Sequence, residues 1–123
     1  MSSERLHKLI SSTTYVIINI ESDLDFTPWT TRRAFVELSM HYHTEEILAF
    51  ARVNRQDAIE LFGEKISKDD QLKEVFAFFK NGKRVKVNGN ISLSGDDEQG
   101  LEAVVKRLGE LAEKRKAERN PEK

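Results

Sequence analysis

The 123-residue sequence contains no cysteine and only two prolines, Pro28 and Pro121. Without cysteine the chain has no disulfide, no thiolate ligand for a metal ion and no cysteine nucleophile. No apolar run reaches the roughly 18 residues of a membrane-spanning helix. The first twelve residues, MSSERLHKLISS, lack the apolar region of a signal peptide. We therefore expect an intracellular protein, cytoplasmic or nuclear, with no membrane partner.

The sequence also lacks an excess of charge of one sign. It has 20 Lys and Arg residues against 21 Asp and Glu residues, for a formal net charge of −1. This balance predicts neither nucleic acid nor an acidic membrane as a partner. Basic residues gather in segment 80–86 and in the last helix, but Glu102, Glu110 and Glu113 interleave with the latter. We keep weak nucleic-acid or anion binding only as an alternative function.

The chain alternates between patterns typical of helices and patterns typical of strands. Apolar, β-branched runs predict strands at 15–20, 47–53, 75–79 and 84–87. Helical spacing and capping residues predict helices at about 4–10, at about 31–43 with Thr30 or Thr31 as its cap, after Asn54 or Asp57, and from Asp96 or Asp97 to about 118. The pair Asn81-Gly82 suits a tight hairpin, which makes the last two predicted strands antiparallel neighbours. Residues 88–95 are predicted to be a loop.

This order predicts an α/β fold with a four-stranded mixed sheet, a βαβ unit followed by ββα, with helices on both faces. The length suits one domain. We place that domain at residues 1–118, with an N-terminal helix within 1–12 and a disordered tail at 119–123.

Four short motifs within residues 15–111 make the chain resemble the thioredoxin family. VIINI at 16–20 is similar to the central strand of that family, and Trp29 stands where the family has a Trp before its redox motif. AFARVN at 49–54 is similar to the next strand, and FFKNGKRV at 78–85 is similar to the family's hairpin. The resemblance implies a thioredoxin-like fold.

The chain departs from the family's pattern at the redox site. Where thioredoxins carry Cys-Gly-Pro-Cys, this chain has Thr30-Thr31-Arg32-Arg33. Exchange between a dithiol and a disulfide needs both sulfur atoms. The stretch that matches the family's cis-proline loop, 72–74, has no proline, and Asn19 roughly matches the family's buried acid. The comparison therefore implies a redox-inactive member, and we expect a protein that is not an enzyme.

The candidate site is the corner between the first strand and the second helix. A helix N-terminus with two arginines can attract a phosphate or an acidic peptide, and exposed aromatic residues can anchor an interface. The plainer interpretation is that the arginines are solvated and the aromatic rings close the core. We predict an adaptor or scaffold module for protein–protein interaction, part of a larger protein or complex. Its candidate partner-binding residues are Phe26, Pro28, Trp29, Thr30, Thr31, Arg32 and Arg33.

Other functions have weaker support in the sequence. A hydroxyl such as that of Thr30 can activate a glutathione thiol, as in glutathione transferases, but the missing cis-proline and missing helical second domain argue against such an enzyme. The apolar stripe of the last helix can serve a homodimer or a partner, although a core explains it equally well. His41 and His43 point to different faces of a helix. We predict no catalytic residue, no cofactor and no metal site.

Overall fold

The computed structural model describes residues 3–21, 29–44, 46–62, 75–86, 92–94 and 97–119. Within these ranges the chain alternates between helices and strands, as predicted. The elements in chain order are α1 (Ser3–Ser12), β1 (Tyr15–Ile20), α2 (Trp29–Tyr42), β2 (Leu48–Val53), α3 (Arg55–Phe62), β3 (Val75–Lys80), β4 (Lys83–Val85), β5 (Ser92–Ser94) and α4 (Glu98–Arg119).

The strands form one mixed sheet in the order β2-β1-β3-β4, with β5 also paired to β3. Strands β1 and β2 are parallel, from Tyr15 opposite Leu48 to Ile20 opposite Val53. Strand β3 runs antiparallel to β1 along the whole of β1. The predicted combination of a βαβ unit with antiparallel strands is confirmed.

The outer edge of β3 is shared by two short strands. Residues Phe78 to Lys80 pair with β4, and Val75 to Ala77 pair with β5. We predicted a loop at 88–95, and β5 is the correction. A segment of three residues is too short to show strand alternation, and its strand geometry comes from pairing with β3.

The β3–β4 turn has the geometry that its sequence predicts. Asn81 and Gly82 both have positive φ, at 52° and 82°. A type I′ turn needs positive φ at both central residues, and its twist matches that of the flanking strands. Strand β4 begins and ends earlier than the predicted 84–87, because Lys83 already pairs with Lys80.

The core consists of two layers, one on each face of the sheet. Leu6 and Ile10 of α1 and Ala58 of α3 pack with one set of alternate β1 residues. Helices α2 and α4 cover the other face, where Phe35 and Leu101 pack with the second set. Burial on both faces explains why β1 reads as a nearly continuous apolar run. The predicted helices on both faces are confirmed.

Side-chain caps fix the starts of two helices. The Asn54 Oδ1 accepts a hydrogen bond of 2.8 Å from the Asp57 amide at the start of α3. The Asp97 Oδ1 accepts one of 2.9 Å from the Gly100 amide at the start of α4. Helix α4 includes Arg119, and residues 120–123 lie outside the described ranges. The division into a domain at 1–118 and a tail at 119–123 stays a prediction.

Candidate functional site

In the chain the predicted corner follows β1, whose end lies beside the end of the parallel strand β2. The Glu21 amide donates a hydrogen bond of 2.9 Å to the Val53 carbonyl, which extends the pairing one residue beyond β1. The Arg52 Nη2 lies 3.6 Å from the Glu21 Oε1, and both side chains are partly exposed. The carboxyl ends of parallel strands are the usual place for sites in α/β sheets. Two predicted site residues, Phe26 and Pro28, lie outside the described residues.

Trp29 is the first residue of α2, two positions earlier than the predicted start at 31. Thr30 and Thr31 are therefore inside the helix, and the prediction that either of them caps it is wrong. A cap needs a non-helical backbone, whereas these residues are helical. The amides of the first turn have no partner further back in the helix, so this end carries a partial positive charge.

Arg33 forms an ion pair along its own helix. Its Nε donates to the Glu37 Oε1 at 2.9 Å, and the two side chains are 66% and 63% exposed. Exposed pairs at this spacing contribute about 0.3–0.5 kcal/mol. An acidic partner at the corner would therefore compete with Glu37 for the Arg33 guanidinium.

Two exposed apolar residues follow on the same helix and were missed by sequence reasoning. Val36 is 43% exposed and Met40 is 81% exposed. The sequence pattern drew attention to the residues of α2 that face the core. The available signal was spacing, because positions 33, 36 and 40 fall on one side of a helix. We call these three positions the outer α2 face.

Asn19 is buried in β1, with 1% of its surface exposed. It lies in register between Arg52 of β2 and Phe76 of β3. Strand alternation places it on the sheet face that carries Ile17, under α2 and α4. A side-chain amide does not ionise in the physiological range. It cannot supply the proton that a buried carboxylic acid would hold at this position.

The histidines lie near the C-terminal end of α2. The His41 ring contacts the Tyr42 ring edge to face, with centroids 4.6 Å apart, and His43 follows the helix. Among the residues that the structure describes, no three His, Cys, Asp or Glu side chains gather into a potential metal site.

No helix in the described ranges combines the length and apolar character needed to cross a membrane.

Comparison with known proteins gives relatives of nearly the same length. No protein-family model matches the chain. A thioredoxin-like protein of Fusarium culmorum is 37% identical over 119 residues, which cover 94% of this chain and 93% of that relative. A thioredoxin of Neurospora crassa is 27% identical over 116 residues, covering 94% and 89%.

Solved structures share the fold. The solution structure of oxidised thioredoxin from Plasmodium falciparum matches with a TM-score of 0.65 and 17% identity, over 88% of this chain and 93% of the other. The match includes the mixed sheet with helices on both faces, so the predicted fold class is confirmed.

These relatives correct one prediction. We expected a protein that is not an enzyme, but the relatives carry the names of thioredoxins, an oxidoreductase family. The expectation was wrong because it rested on the missing sulfur atoms, which concern one reaction, whereas the similarity to these relatives covers 94% of the chain. The identity to the Fusarium relative and the arrangement of this chain's own sheet and helices lead to one conclusion. The chain belongs to the thioredoxin-like family.

Proposed function

We propose that this thioredoxin-like protein binds protein partners through the outer α2 face and the corner that precedes it. The observation that carries the proposal is the 81% exposure of Met40, next to the 43% exposure of Val36 one turn earlier. Single exposed apolar residues are ordinary, but two on one helix face beside a predicted binding corner favour an interface.

The energetics suit a modest interface. Complete burial of a methionine or valine side chain contributes about 1.5–3 kcal/mol. Arg33 and Glu37 flank these apolar residues and provide charges of both signs at the edge of the surface. Such a surface has an apolar centre with a polar border, the usual organisation of a protein interface.

In this proposal partner capture is non-covalent. A thioredoxin that exchanges disulfides attacks its partner with a thiolate and passes through a mixed disulfide. The present chain has no thiol. Its redox-inactive state is thus part of the proposal, together with a role as an adaptor or scaffold within a larger assembly. The absence of a thiol makes that role directly testable.

The test compares partner capture by three forms of the full chain from extracts of the source cells. The variant is Met40→Glu, which places a charge at the most exposed apolar residue of the outer α2 face. The control is Gln56→Glu, which adds the same charge at an exposed position of α3. Helix α3 packs on the opposite face of the sheet from α2. We expect the wild type and the control to retain the same partners and the Met40 variant to lose them.

Continued capture by the Met40 variant would contradict the proposal. If Met40→Glu folds normally by circular dichroism and still captures every partner of the wild type, the outer α2 face does not bind them. Adding a reducing agent gives a second readout. Because the chain has no thiol, we expect capture to be unchanged by dithiothreitol, and loss of a partner on reduction would indicate a different mode of attachment.

A further inference from the structure

A groove of about 410 Å³ lies between α4 and the β3–β4 hairpin. Its lining includes Tyr15, the first residue of β1, whereas the corner follows Ile20 at the other end of that strand. Helix α2 packs on another side of α4, where Tyr42 meets Gly109. We call this space the hairpin groove, and it is separate from the outer α2 face.

The floor of the hairpin groove is apolar. Phe78 is buried in β3, and Leu111 of α4 is 39% exposed at the groove wall. Intermediate burial is found at three further lining residues, Val85, Val104 and Leu108. An apolar floor with partly exposed walls leaves room for apolar side chains from another molecule.

The rim of the same groove is basic. Lys80 and Lys86 from the hairpin and Arg107 from α4 all contribute to it. No carboxylate belongs to the described residues that line the groove. Lys80 Nζ and Arg115 Cζ also lie 5.9 and 5.7 Å from the centre of the Tyr15 ring. A chain of net charge −1 thus concentrates positive charge at one groove.

The positive charge continues along α4 beyond the groove. Lys114 and Arg115 are exposed and follow Leu111 at spacings of three and four, which keeps them on the same side of the helix. Glu102 and Glu113 fall on the other side by the same spacing, whereas Glu110, three residues after Arg107 and four before Lys114, borders the strip. The strip of basic residues therefore extends beyond the apolar floor. A ligand in extended conformation can contact both.

We propose that the hairpin groove binds an acidic peptide segment of a partner protein, with one or two large apolar side chains of that segment inserted into the floor. Charge complementarity selects the acidic segment, and the apolar floor selects its anchors. The apolar floor has no side chain that could hydrogen-bond or pair with a phosphate group, which favours a peptide over nucleic acid. Small-molecule sites enclose most of their ligand, whereas this groove is open along Leu111. The inference uses a surface apart from the outer α2 face and stands without the proposed function.

The probe is a phage-displayed library of random peptides of about twelve residues, long enough to follow the basic strip in extended form, selected on the full chain. We expect selected sequences to place Asp and Glu around one or two Leu, Phe or Trp residues. The selected peptide is then synthesised with a fluorescent label, and its affinity is measured by anisotropy. Raising the salt concentration should weaken binding, because the rim charges are exposed.

Two matched pairs of variants locate the binding site. Arg107→Glu lies at the rim, and Lys106→Glu makes the same change at the neighbouring exposed position off the groove. Leu111→Gln alters the apolar wall, and Ala117→Gln introduces the same uncharged residue at an exposed position of α4 off the groove. We expect Arg107→Glu and Leu111→Gln to weaken affinity roughly fivefold or more, and each control to change it less than about twofold. Circular dichroism checks that all four variants fold.

Several outcomes overturn the proposal. Selection of no peptide, or of peptides without acids, removes it. Equal binding of a peptide in which Ser replaces the apolar anchors shows that the floor is unused. Tighter binding of a single-stranded oligonucleotide, with the same loss on Arg107→Glu, assigns the groove to nucleic acid. Concentration-dependent dimerisation that Leu111→Gln abolishes assigns it to a second copy of the chain.

Discussion

Gly109 of α4 lies directly against the Tyr42 ring of α2. A Cβ built on Gly109 would be 2.9 Å from Cε1 and 3.1 Å from Cγ of that ring, and closer still to Cδ1. Glycine here allows the two helices to approach each other over the sheet. The contact therefore sets how α4 is placed beside α2.

We expect Gly109→Ala to destabilise the protein, although alanine favours a helix by about 1 kcal/mol over glycine. Overpacking in a filled interior costs about 1–3 kcal/mol, which outweighs that gain. Chemical denaturation of both proteins measures the difference. In a Tyr42→Leu background the same change should become neutral or stabilising. Destabilisation that persists in that background would show that the Tyr42 ring is not the cause.

The Asn54 cap provides a second stability test. Asn54→Ala removes the acceptor of the Asp57 amide and should cost about 1 kcal/mol, measured as a lower urea midpoint. Asn54→Asp keeps an acceptor and should retain most of the stability. The control is Gln56→Ala, which removes only an exposed side-chain bond to Glu60 and should shift the midpoint far less. Equal losses for the two alanine variants would refute the capping role.

Asn19 allows a test of burial through pH. Asn19→Asp places a carboxyl group in a strand position that is 1% exposed, where burial raises the pKa of the group above its usual value of about 3.9. The folded state then holds the proton more tightly than the unfolded state. Stability of the variant should fall as pH rises from about 4 towards the raised pKa, relative to the wild type. A constant difference between the two proteins across that range would contradict this.

The redox-inactive part of the proposal can be tested by restoring sulfur. Thr30 and Arg33 are three positions apart in the first turn of α2 and are therefore neighbours on the helix. We expect Thr30→Cys/Arg33→Cys to gain the ability to reduce insulin disulfides with dithiothreitol as electron source, while the wild type stays at the uncatalysed rate. The single Thr30→Cys variant is the control, because it lacks the second sulfur. Catalysis by the wild type would overturn the redox-inactive part of the proposal.

The sequence predicted those parts of the fold whose cause is local or strongly patterned. β1 was recognisable because burial on both faces demands an apolar run, and the hairpin because Asn81 and Gly82 accept positive φ. β5 was missed because it forms by pairing with β3, and three residues are too few to show a strand pattern in the sequence.

The candidate site was less predictable for a similar reason. The structure places Trp29 to Arg33 in the first residues of α2, which follows β1 in the chain, and the cap was misassigned because the helix begins two residues earlier than predicted. Exposure of Met40 depends on what packs beside α2, which the residue type alone does not indicate. The basic hairpin groove needs β4 and α4 to be brought together, although their residues are about 20 positions apart in sequence.

The division of the outer sheet edge between β4 and β5 affects aggregation. A long unpaired edge invites a strand from another molecule, and short edge strands with charged residues discourage it. Here each outer strand has three residues, and β4 carries Lys83 and Arg84. The edge beside the hairpin groove is therefore poorly suited to extending the sheet between molecules, and a partner there must be recognised by its side chains.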